Sequence, residues 1–145
     1  MVRSLVRSVV VSADPDRVWA HIGDFDGLGA WHPGVPPSEL EGDTEPTEVG
    51  AIRVFSIDGR VVARELLVGR DAAARTYSYQ VLDPMLPISD YIATLAVRPH
   101  AGGTEIHWSA EYQAADDAAV ATVEQMFGDG VYVTGLNAVA TYFAD

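Results

Sequence analysis

The sequence predicts an α+β domain in which a curved antiparallel sheet of about six or seven strands wraps around one long C-terminal helix. Three observations predict this class: a capped helix signal directly after the first strand, a series of alternating strand patterns through the middle, and helical spacing after Asp116. A chain of 145 residues with 48% hydrophobic and 21% charged residues is typical of one globular domain. We therefore expect residues 1–145 to form a single domain.

The first strand is followed by two short helices. Residues 3–12 end in three consecutive valines, which favour a strand. Asp14 can cap the first free amides of a helix, Pro15 suits its first position, and Gly23 can end it. Within this helix, Val18, Trp19 and Ile22 form one apolar stripe. A further helical turn is expected near residues 25–30.

The middle of the chain shows alternating patterns separated by turn residues. Asp58-Gly59 is a strong hairpin signal between residues 51–57 and 61–69. A short edge strand is expected at residues 38–41, after three prolines. The remaining predicted strands cover residues 74–82, 91–97 and 104–112.

The C-terminal region predicts one long helix from Asp116 onward. Its apolar positions fall at near-helical spacing: Val120, Val123, Phe127, Val131 and Leu136. Gly128, Gly130 and Gly135 interrupt this pattern, and each costs about 1 kcal/mol relative to alanine in a helix interior. These glycines predict either a bend or the close approach of another group to the helix. A helix that crosses a strongly curved sheet leaves space between the two, which is a natural pocket.

Composition excludes several classes of function. A net charge of −12 repels phosphate backbones and anionic lipid surfaces, so no nucleic-acid partner is expected. The chain has no cysteine, and its four histidines are scattered without metal-ligand spacing, so no metal site is expected. No nucleotide fingerprint, phosphate loop or nucleophile elbow is present, and we expect no cofactor. Without a signal peptide or an apolar run of about 20 residues, we expect a cytoplasmic protein with no membrane insertion, as a monomer or a homodimer.

Residues 18–34 place two tryptophans, a phenylalanine and two histidines among four glycines. Because large aromatics are costly to expose, the segment either folds over a local core or lines the mouth of a cavity. Trp19 shares the apolar stripe of the first helix and is expected in the core. Phe25, Trp31 and His32 are expected to form a lid over the cavity. Histidine also exchanges protons near neutral pH, so His32 is a candidate for proton transfer.

The order and spacing of several short motifs resemble the START/Bet v 1-like (SRPBCC) superfamily, in its polyketide cyclase/dehydrase branch. The resemblance runs from Val9 to Phe143. It implies a helix-grip fold with a deep hydrophobic cavity for a lipid, hormone, polyketide or similar molecule. Some members of the family catalyse cyclisation, aromatisation or dehydration, whereas others only bind or carry. The matching motifs are Val18-Trp19, Asp24-Phe25, Trp31-His32-Pro33, Gly50-Ala51-Ile52-Arg53, Arg64-Glu65-Leu66-Leu67, Tyr77-Ser78-Tyr79, Tyr91-Ile92-Ala93-Thr94 and Thr104-Glu105-Ile106-His107-Trp108.

Arg53 and Glu65 lie on the two arms of the predicted hairpin and are expected to stand opposite each other. If they face inward, they form a charged pair in an apolar cavity, where each needs the other and where they could orient a carbonyl or polarise an enol. If they face outward, they form a solvent-exposed cross-strand pair worth about 0.2–1 kcal/mol. Because Phe55 and Ile57 share the alternation of Arg53, the inward arrangement is favoured.

The strands and the helix supply the other candidates for the cavity wall. The catalytic candidates are His32, Arg53, Glu65 and Tyr91; the ligand-binding candidates are Phe25, Trp31, Phe55, Tyr79, Trp108, Tyr112, Phe127 and Val131. Tyrosine hydroxyls would be the main hydrogen-bonding groups in such a pocket.

Three functions remain open at this stage. In the first, the protein binds a polyketide-, isoprenoid- or lipid-like molecule and catalyses its cyclisation, aromatisation or dehydration by positioning and proton transfer. In the second, it is a non-catalytic carrier or sensor of such a molecule. A partner-binding domain of the cochaperone type is a third possibility and would require a large exposed apolar patch.

Overall fold

A computed structural model of the chain describes residues 2–144 and confirms the predicted α+β architecture. One seven-stranded antiparallel sheet has the strand order β1-β7-β6-β5-β4-β3-β2. The strands are β1 (Val2–Val11), β2 (Ser38–Leu40), β3 (Ile52–Ile57), β4 (Arg60–Asp71), β5 (Thr76–Leu82), β6 (Ile88–His100) and β7 (Gly103–Ala114). The helices are α1 (Pro15–Ile22), a 3-10 turn (Phe25–Gly27), α2 (Leu28–Trp31), α3 (Asp117–Val123), a π-helix (Glu124–Val133) and α4 (Thr134–Tyr142).

Helix α1 begins and ends as its sequence predicts. The Asp14 carboxylate accepts a hydrogen bond from the backbone N–H of Arg17 at 3.1 Å, and Pro15 occupies the first turn. At the other end, the N–H of Gly23 donates to the Trp19 carbonyl at 2.7 Å. This short helix holds the following aromatic segment against the sheet.

The β3–β4 hairpin turns at Asp58-Gly59, where both residues have positive φ (53° and 77°). A two-residue turn of this kind matches the right-handed twist of the flanking strands. The turn pairs Ile57 with Arg60, and a one-residue bulge in β4 then shifts the register so that Arg53 pairs with Glu65, as predicted. The register shifts between Phe55 and Ser56, so the alternation does not continue to Ile57, which is exposed.

One face of the sheet is buried beneath the C-terminal helix. On β5 the buried side chains are Tyr77, Tyr79 and Val81, and on β7 they are Ile106, Trp108, Ala110 and Tyr112. Both sets follow the predicted period of two. The opposite face meets solvent, which is common for antiparallel sheets.

The C-terminal helix is continuous from α3 through the π-helix to α4, and two of its three glycines lie at close contacts. A Cβ at Gly128 would lie 2.7 Å from Arg7 Nη2, and one at Gly135 would lie 2.6 Å from His32 Cδ2. A Cβ at Gly130 would meet nothing nearer than 3.5 Å. The predicted close approach is therefore confirmed at Gly128 and Gly135. Within residues 2–144, no helix combines the length and apolar character needed to cross a membrane.

Candidate ligand-binding cavity

A cavity of about 150 Å³ lies between the sheet and the π-helix. The sheet contributes its largest wall, through Phe55, Ala63, Glu65, Tyr79 and Tyr91. The π-helix covers it with Phe127, Val131 and Tyr132, and the segment around α2 closes one side with Leu28, Val35 and Pro36. Apart from Glu65 and the tyrosine hydroxyls, this lining is apolar. A larger depression of about 510 Å³ lies on the outer face of β1, β6 and β7. Most of its lining side chains face outward, such as Ser4, His107 and Ser109, so it is not part of this interior site.

A buried ion pair stands at the wall of the cavity. Arg53 is 0% exposed, and its Nε donates to Glu65 Oε1 at 2.8 Å. Arg53 Nη2 lies 2.7 Å from the same oxygen, and Nη1 donates to the carbonyl of Phe25 at 2.7 Å and to the Tyr77 hydroxyl at 3.3 Å. Glu65 lines the cavity, whereas Arg53 lies behind it. The inward arrangement of the pair is thus the one observed.

Aromatic rings surround the Arg53 guanidinium. Its central carbon lies 4.3 Å from the ring centre of Phe25 and 4.6 Å from that of Tyr79. Burial favours the neutral form of Arg53, but the Glu65 carboxylate and the neighbouring tyrosines outweigh burial and raise the pKa of Arg53 above its usual value. The guanidinium therefore remains charged, and Glu65 is its counter-ion.

Three tyrosine hydroxyls lie at or beside the cavity and are held in hydrogen bonds. The Tyr91 and Tyr132 hydroxyl oxygens are 2.5 Å apart. The indole N–H of Trp108 donates to the Tyr79 hydroxyl at 3.1 Å. Burial raises the pKa of Tyr79, Tyr91 and Tyr132 above the ordinary value for tyrosine. These hydroxyls are consequently protonated near neutral pH and can donate hydrogen bonds.

His32 lies in the core, which corrects its predicted position in a lid. Only 2% of the residue is exposed. The Gly34 N–H donates to Nδ1 at 3.0 Å, so the ring proton sits on Nε2, which donates to the Val131 carbonyl at 2.7 Å. Burial lowers the pKa of His32, which favours the neutral ring. Both ring nitrogens are engaged, and neither is free for proton transfer to a ligand.

The structure also corrects the predicted positions of Phe25 and Trp31 in a lid and of Trp19 in the core. Phe25 is fully buried beneath Arg53, and Trp31 is 8% exposed, with its ring 5.9 Å from that of Trp108. Trp19, expected in the core, is only partly buried and packs beside Arg70 at 5.1 Å. The reason is helical geometry: Val18 and Ile22 lie one turn apart on the buried face of α1, and Trp19 is rotated away from it.

The other predicted residues divide between the wall of the cavity and the layer behind it. Phe55, Tyr79, Tyr91, Phe127 and Val131 line the cavity, together with Glu65. Trp108 lies behind it, stacked on Tyr132 with ring centres 4.4 Å apart. Tyr112 also lies outside, with its ring 5.6 Å from that of Tyr91. Phe25, Trp31, His32 and Arg53 are buried around the site without lining it.

Tyr132 is a lining residue that the sequence pattern did not indicate. It is 1% exposed, although it is not among the apolar positions at regular helical spacing. Residues 124–133 form a π-helix, in which an extra residue per turn shifts the face that meets the sheet. This shift places both Val131 and Tyr132 at the cavity. The glycines that interrupt the helix were the available signal of irregular geometry.

Among residues 2–144, no three histidine, aspartate or glutamate side chains are grouped so that they could hold a metal ion. The polar groups at the wall of the cavity are the Glu65 carboxylate and the tyrosine hydroxyls. A carboxylate held on one side by a buried cation can accept a proton. Neutral hydroxyl donors nearby can stabilise an oxygen that gains negative charge.

Known structures share this architecture. A protein from Thermobifida fusca, solved in solution by NMR, is 37% identical over 97% of this chain and 92% of that chain, with a TM-score of 0.87. A protein from Nitrosospira multiformis is 24% identical over 99% of this chain and 97% of that chain, with a TM-score of 0.82. Norcoclaurine synthase from Thalictrum flavum, solved in complex with dopamine and hydroxybenzaldehyde, is 21% identical over 98% of this chain and 86% of that chain, with a TM-score of 0.74.

No protein of curated function matches the sequence significantly. The family model described as polyketide cyclase/dehydrase and lipid transport matches residues 2–144. This match covers every element described above, and the sheet and long helix have the arrangement of the Bet v 1-like structures. The chain therefore belongs to the polyketide cyclase/dehydrase and lipid transport family and has the Bet v 1-like helix-grip fold.

Proposed function

We propose that this protein binds a small hydrophobic molecule in the cavity between the sheet and the π-helix, and transfers a proton on it through Glu65. The observation that carries the proposal is a single carboxylate at the wall of a mostly apolar cavity, held from behind by the fully buried Arg53. Keeping such a pair in the interior is costly. The pKa of Arg53 is raised, and ionisable groups with perturbed pKa values concentrate at functional sites.

The size of the cavity restricts the ligand. Its volume of about 150 Å³ is similar to that of an engineered cavity of ~150 Å³ that binds benzene. It is smaller than the roughly 300–1,000 Å³ of pockets that enclose drug-sized ligands. We therefore propose a ligand of one ring or a short acyl chain. A multi-ring polyketide would exceed this volume, and it would have to extend out of the cavity or displace the π-helix from the sheet.

The proposed chemistry follows from the positions of the polar groups. Glu65 would take a proton from the carbon next to a carbonyl, forming an enolate. A hydroxyl of the Tyr91–Tyr132 pair would donate a hydrogen bond to the enolate oxygen as it gains charge. The enolate carbon would then take the proton back from Glu65, or it would attack a second carbonyl of the same molecule in a cyclisation. In the cyclisation, the carbon–oxygen double bond that is attacked becomes an alkoxide, which takes the proton from Glu65. Arg53 would act as a positioning residue for Glu65.

A second candidate function is a carrier that binds the same kind of molecule without changing it. The mostly apolar lining favours it, because affinity for a hydrophobic ligand needs no carboxylate. The two functions differ in one respect. A carrier would leave the carbon-bound hydrogens of its ligand untouched, whereas the enzyme would exchange them.

Binding is tested with a variant that fills the cavity. Ala63 lines it, and Ala63→Phe should occupy much of its volume. The matched control is Ala72→Phe in the exposed β4–β5 turn. Titration of the ¹⁵N-labelled protein with benzene or indole should shift the amide signals around the cavity in the wild type and in Ala72→Phe. Ala63→Phe should not respond. A wild type that binds no single-ring probe contradicts the proposal.

Catalysis is tested by hydrogen exchange in D₂O. Cyclohexanone is a one-ring ketone with exchangeable hydrogens, and NMR follows their replacement by deuterium. We expect the wild type to accelerate exchange above the buffer rate and Glu65→Gln to abolish the acceleration. Glu111→Gln, at an exposed glutamate of β7, is the control and should exchange as the wild type does. Exchange at the buffer rate in a wild type that binds the ketone would support the carrier.

A further inference from the structure

The hydrogen bonds around the cavity leave particular donors and acceptors free, and these define the polarity of its ligand. This inference rests on the proposed function. On the acceptor side, Arg53 Nε and Nη2 both approach Oε1 of Glu65, at 2.8 and 2.7 Å. Oε2 accepts no hydrogen bond from any side chain or backbone group in residues 2–144. The cavity thus offers one carboxylate oxygen as a free acceptor.

The tyrosines supply the free donors. In the Tyr91–Tyr132 pair, one hydroxyl donates to the other, and the proton of the accepting hydroxyl remains available to donate to a ligand. The Tyr79 hydroxyl oxygen accepts from Trp108, and its own proton has no acceptor within the described part of the chain. Burial raises the pKa of all three tyrosines, so these protons stay in place. A bound molecule therefore meets one acceptor and up to two hydroxyl donors.

Charge at the site argues against an ionic ligand. The Arg53 guanidinium cancels the charge of Glu65 at 2.7 Å and is itself fully buried. An ammonium group would compete with Arg53 for the carboxylate and bring a second buried cation close to it. A ligand carboxylate would be repelled by Glu65. In a mostly apolar cavity, either charge would also lose part of its hydration.

We propose that the ligand is a neutral single-ring molecule with a phenolic or enolic hydroxyl. Its O–H donates to Glu65 Oε2, and its oxygen accepts from a tyrosine hydroxyl. A phenol has only one heavy atom more than benzene, so it suits a cavity of about 150 Å³. Phenol is also a stable analogue of the enol that the proposed proton transfer would form.

The test compares four probes of similar size: phenol, benzene, benzylammonium and benzoate. Dissociation constants come from calorimetry or from NMR titration. We expect phenol to bind at least about tenfold tighter than benzene, because hydrogen bonds to a charged group are among the stronger ones in proteins. Benzylammonium and benzoate should bind more weakly than phenol. Equal affinity for phenol and benzene, or a preference for either ion, overturns the inference while leaving the proposed cavity intact. If neither benzene nor phenol binds, the proposed function itself fails.

Variants identify the groups responsible for the preference. In Glu65→Gln the acceptor becomes an amide, and the preference for phenol over benzene should shrink severalfold. The Tyr91→Phe/Tyr132→Phe double variant removes the paired hydroxyls together and should have the same effect. Tyr112→Phe is the control, because that hydroxyl does not belong to the cavity. Benzene binding in each variant shows that the cavity is folded. A phenol preference unchanged in both variants would refute the assignment of these groups.

Discussion

A methyl group added at Gly135 should collide with two rings of the core. Its Cβ would lie 2.6 Å from His32 Cδ2 and 3.1 Å from Trp108 Cζ3. Carbon atoms pack best at about 3.5–4.0 Å, so a gap of roughly 1 Å would have to open. Neither ring can move easily: His32 is held at both nitrogens, and Trp108 is stacked on Tyr132 and hydrogen-bonded to Tyr79. We therefore expect Gly135→Ala to destabilise the protein.

The expected magnitude follows from two opposing effects. Overpacking a well-filled core costs about 1–3 kcal/mol. Replacing glycine by alanine in a helix interior returns about 1 kcal/mol. Gly135→Ala should therefore lower the free energy of unfolding by up to ~2 kcal/mol. Gly130→Ala, whose Cβ would have room at 3.5 Å from the Gln125 carbonyl, should raise it by up to ~1 kcal/mol.

The two alanine variants form a matched pair in one helix. Urea unfolding should separate their free energies by about 1–3 kcal/mol, and calorimetry should separate their midpoints by several degrees, since about 1 kcal/mol corresponds to roughly 2–4 °C at this size. If both variants are stabilised equally, the helix does not approach His32 as closely as described. The pair tests the packing of the helix on the core independently of any ligand.

Three further predictions concern charged groups and pH. Arg53→Met should lower the free energy of unfolding by about 3–5 kcal/mol, because Glu65 would be left as an unpaired charge at a buried site. Combining it with Glu65→Leu should restore much of the lost free energy of unfolding, as measured in urea. Arg64→Ala breaks an exposed pair with Glu41 and should change stability little; a loss as large as that of Arg53→Met would refute the role of burial. Because the pKa of His32 is lowered on folding, the unfolded chain binds its proton first, and stability should fall as pH drops below about 6.5. His32→Asn should lose less stability than the wild type between pH 7 and pH 5, and equal losses would contradict a buried neutral ring.

The sequence was most informative where a local rule determines the geometry. The Asp58-Gly59 turn begins the hairpin, and together with the one-residue bulge that follows in β4 it brings Arg53 opposite Glu65. The period of two along β5 and β7 similarly indicated which side chains are buried. In each case the decisive interactions lie within one hairpin or one strand, where the pattern of residue types is sufficient.

Prediction failed where distant contacts decide the outcome. The segment after helix α1 carries no clear period, and its packing against Trp108 and the π-helix determines that Trp31 and His32 are buried. Nothing local to His32 indicates that its Nε2 donates to a carbonyl 99 positions away. The sequence around a histidine does not show whether its ring is buried and neutral or exposed and able to titrate.

The π-helix connects the glycines of the C-terminal helix with the cavity. Glycine weakens a helix, and Gly128 and Gly135 are the positions where other residues approach within 3 Å of a would-be Cβ. Between them, the extra residue per turn brings Tyr132 to Tyr91 and leaves the Val131 carbonyl in contact with His32. A regular α-helix with alanines at those positions would be more stable by itself, but it would lie farther from the sheet and present a different face to it. The small cavity and its hydroxyl pair therefore depend on a helix of low intrinsic stability. The glycines, which have no side chain, allow the helix to approach the core closely, and the π-helical geometry places Tyr132 at the cavity.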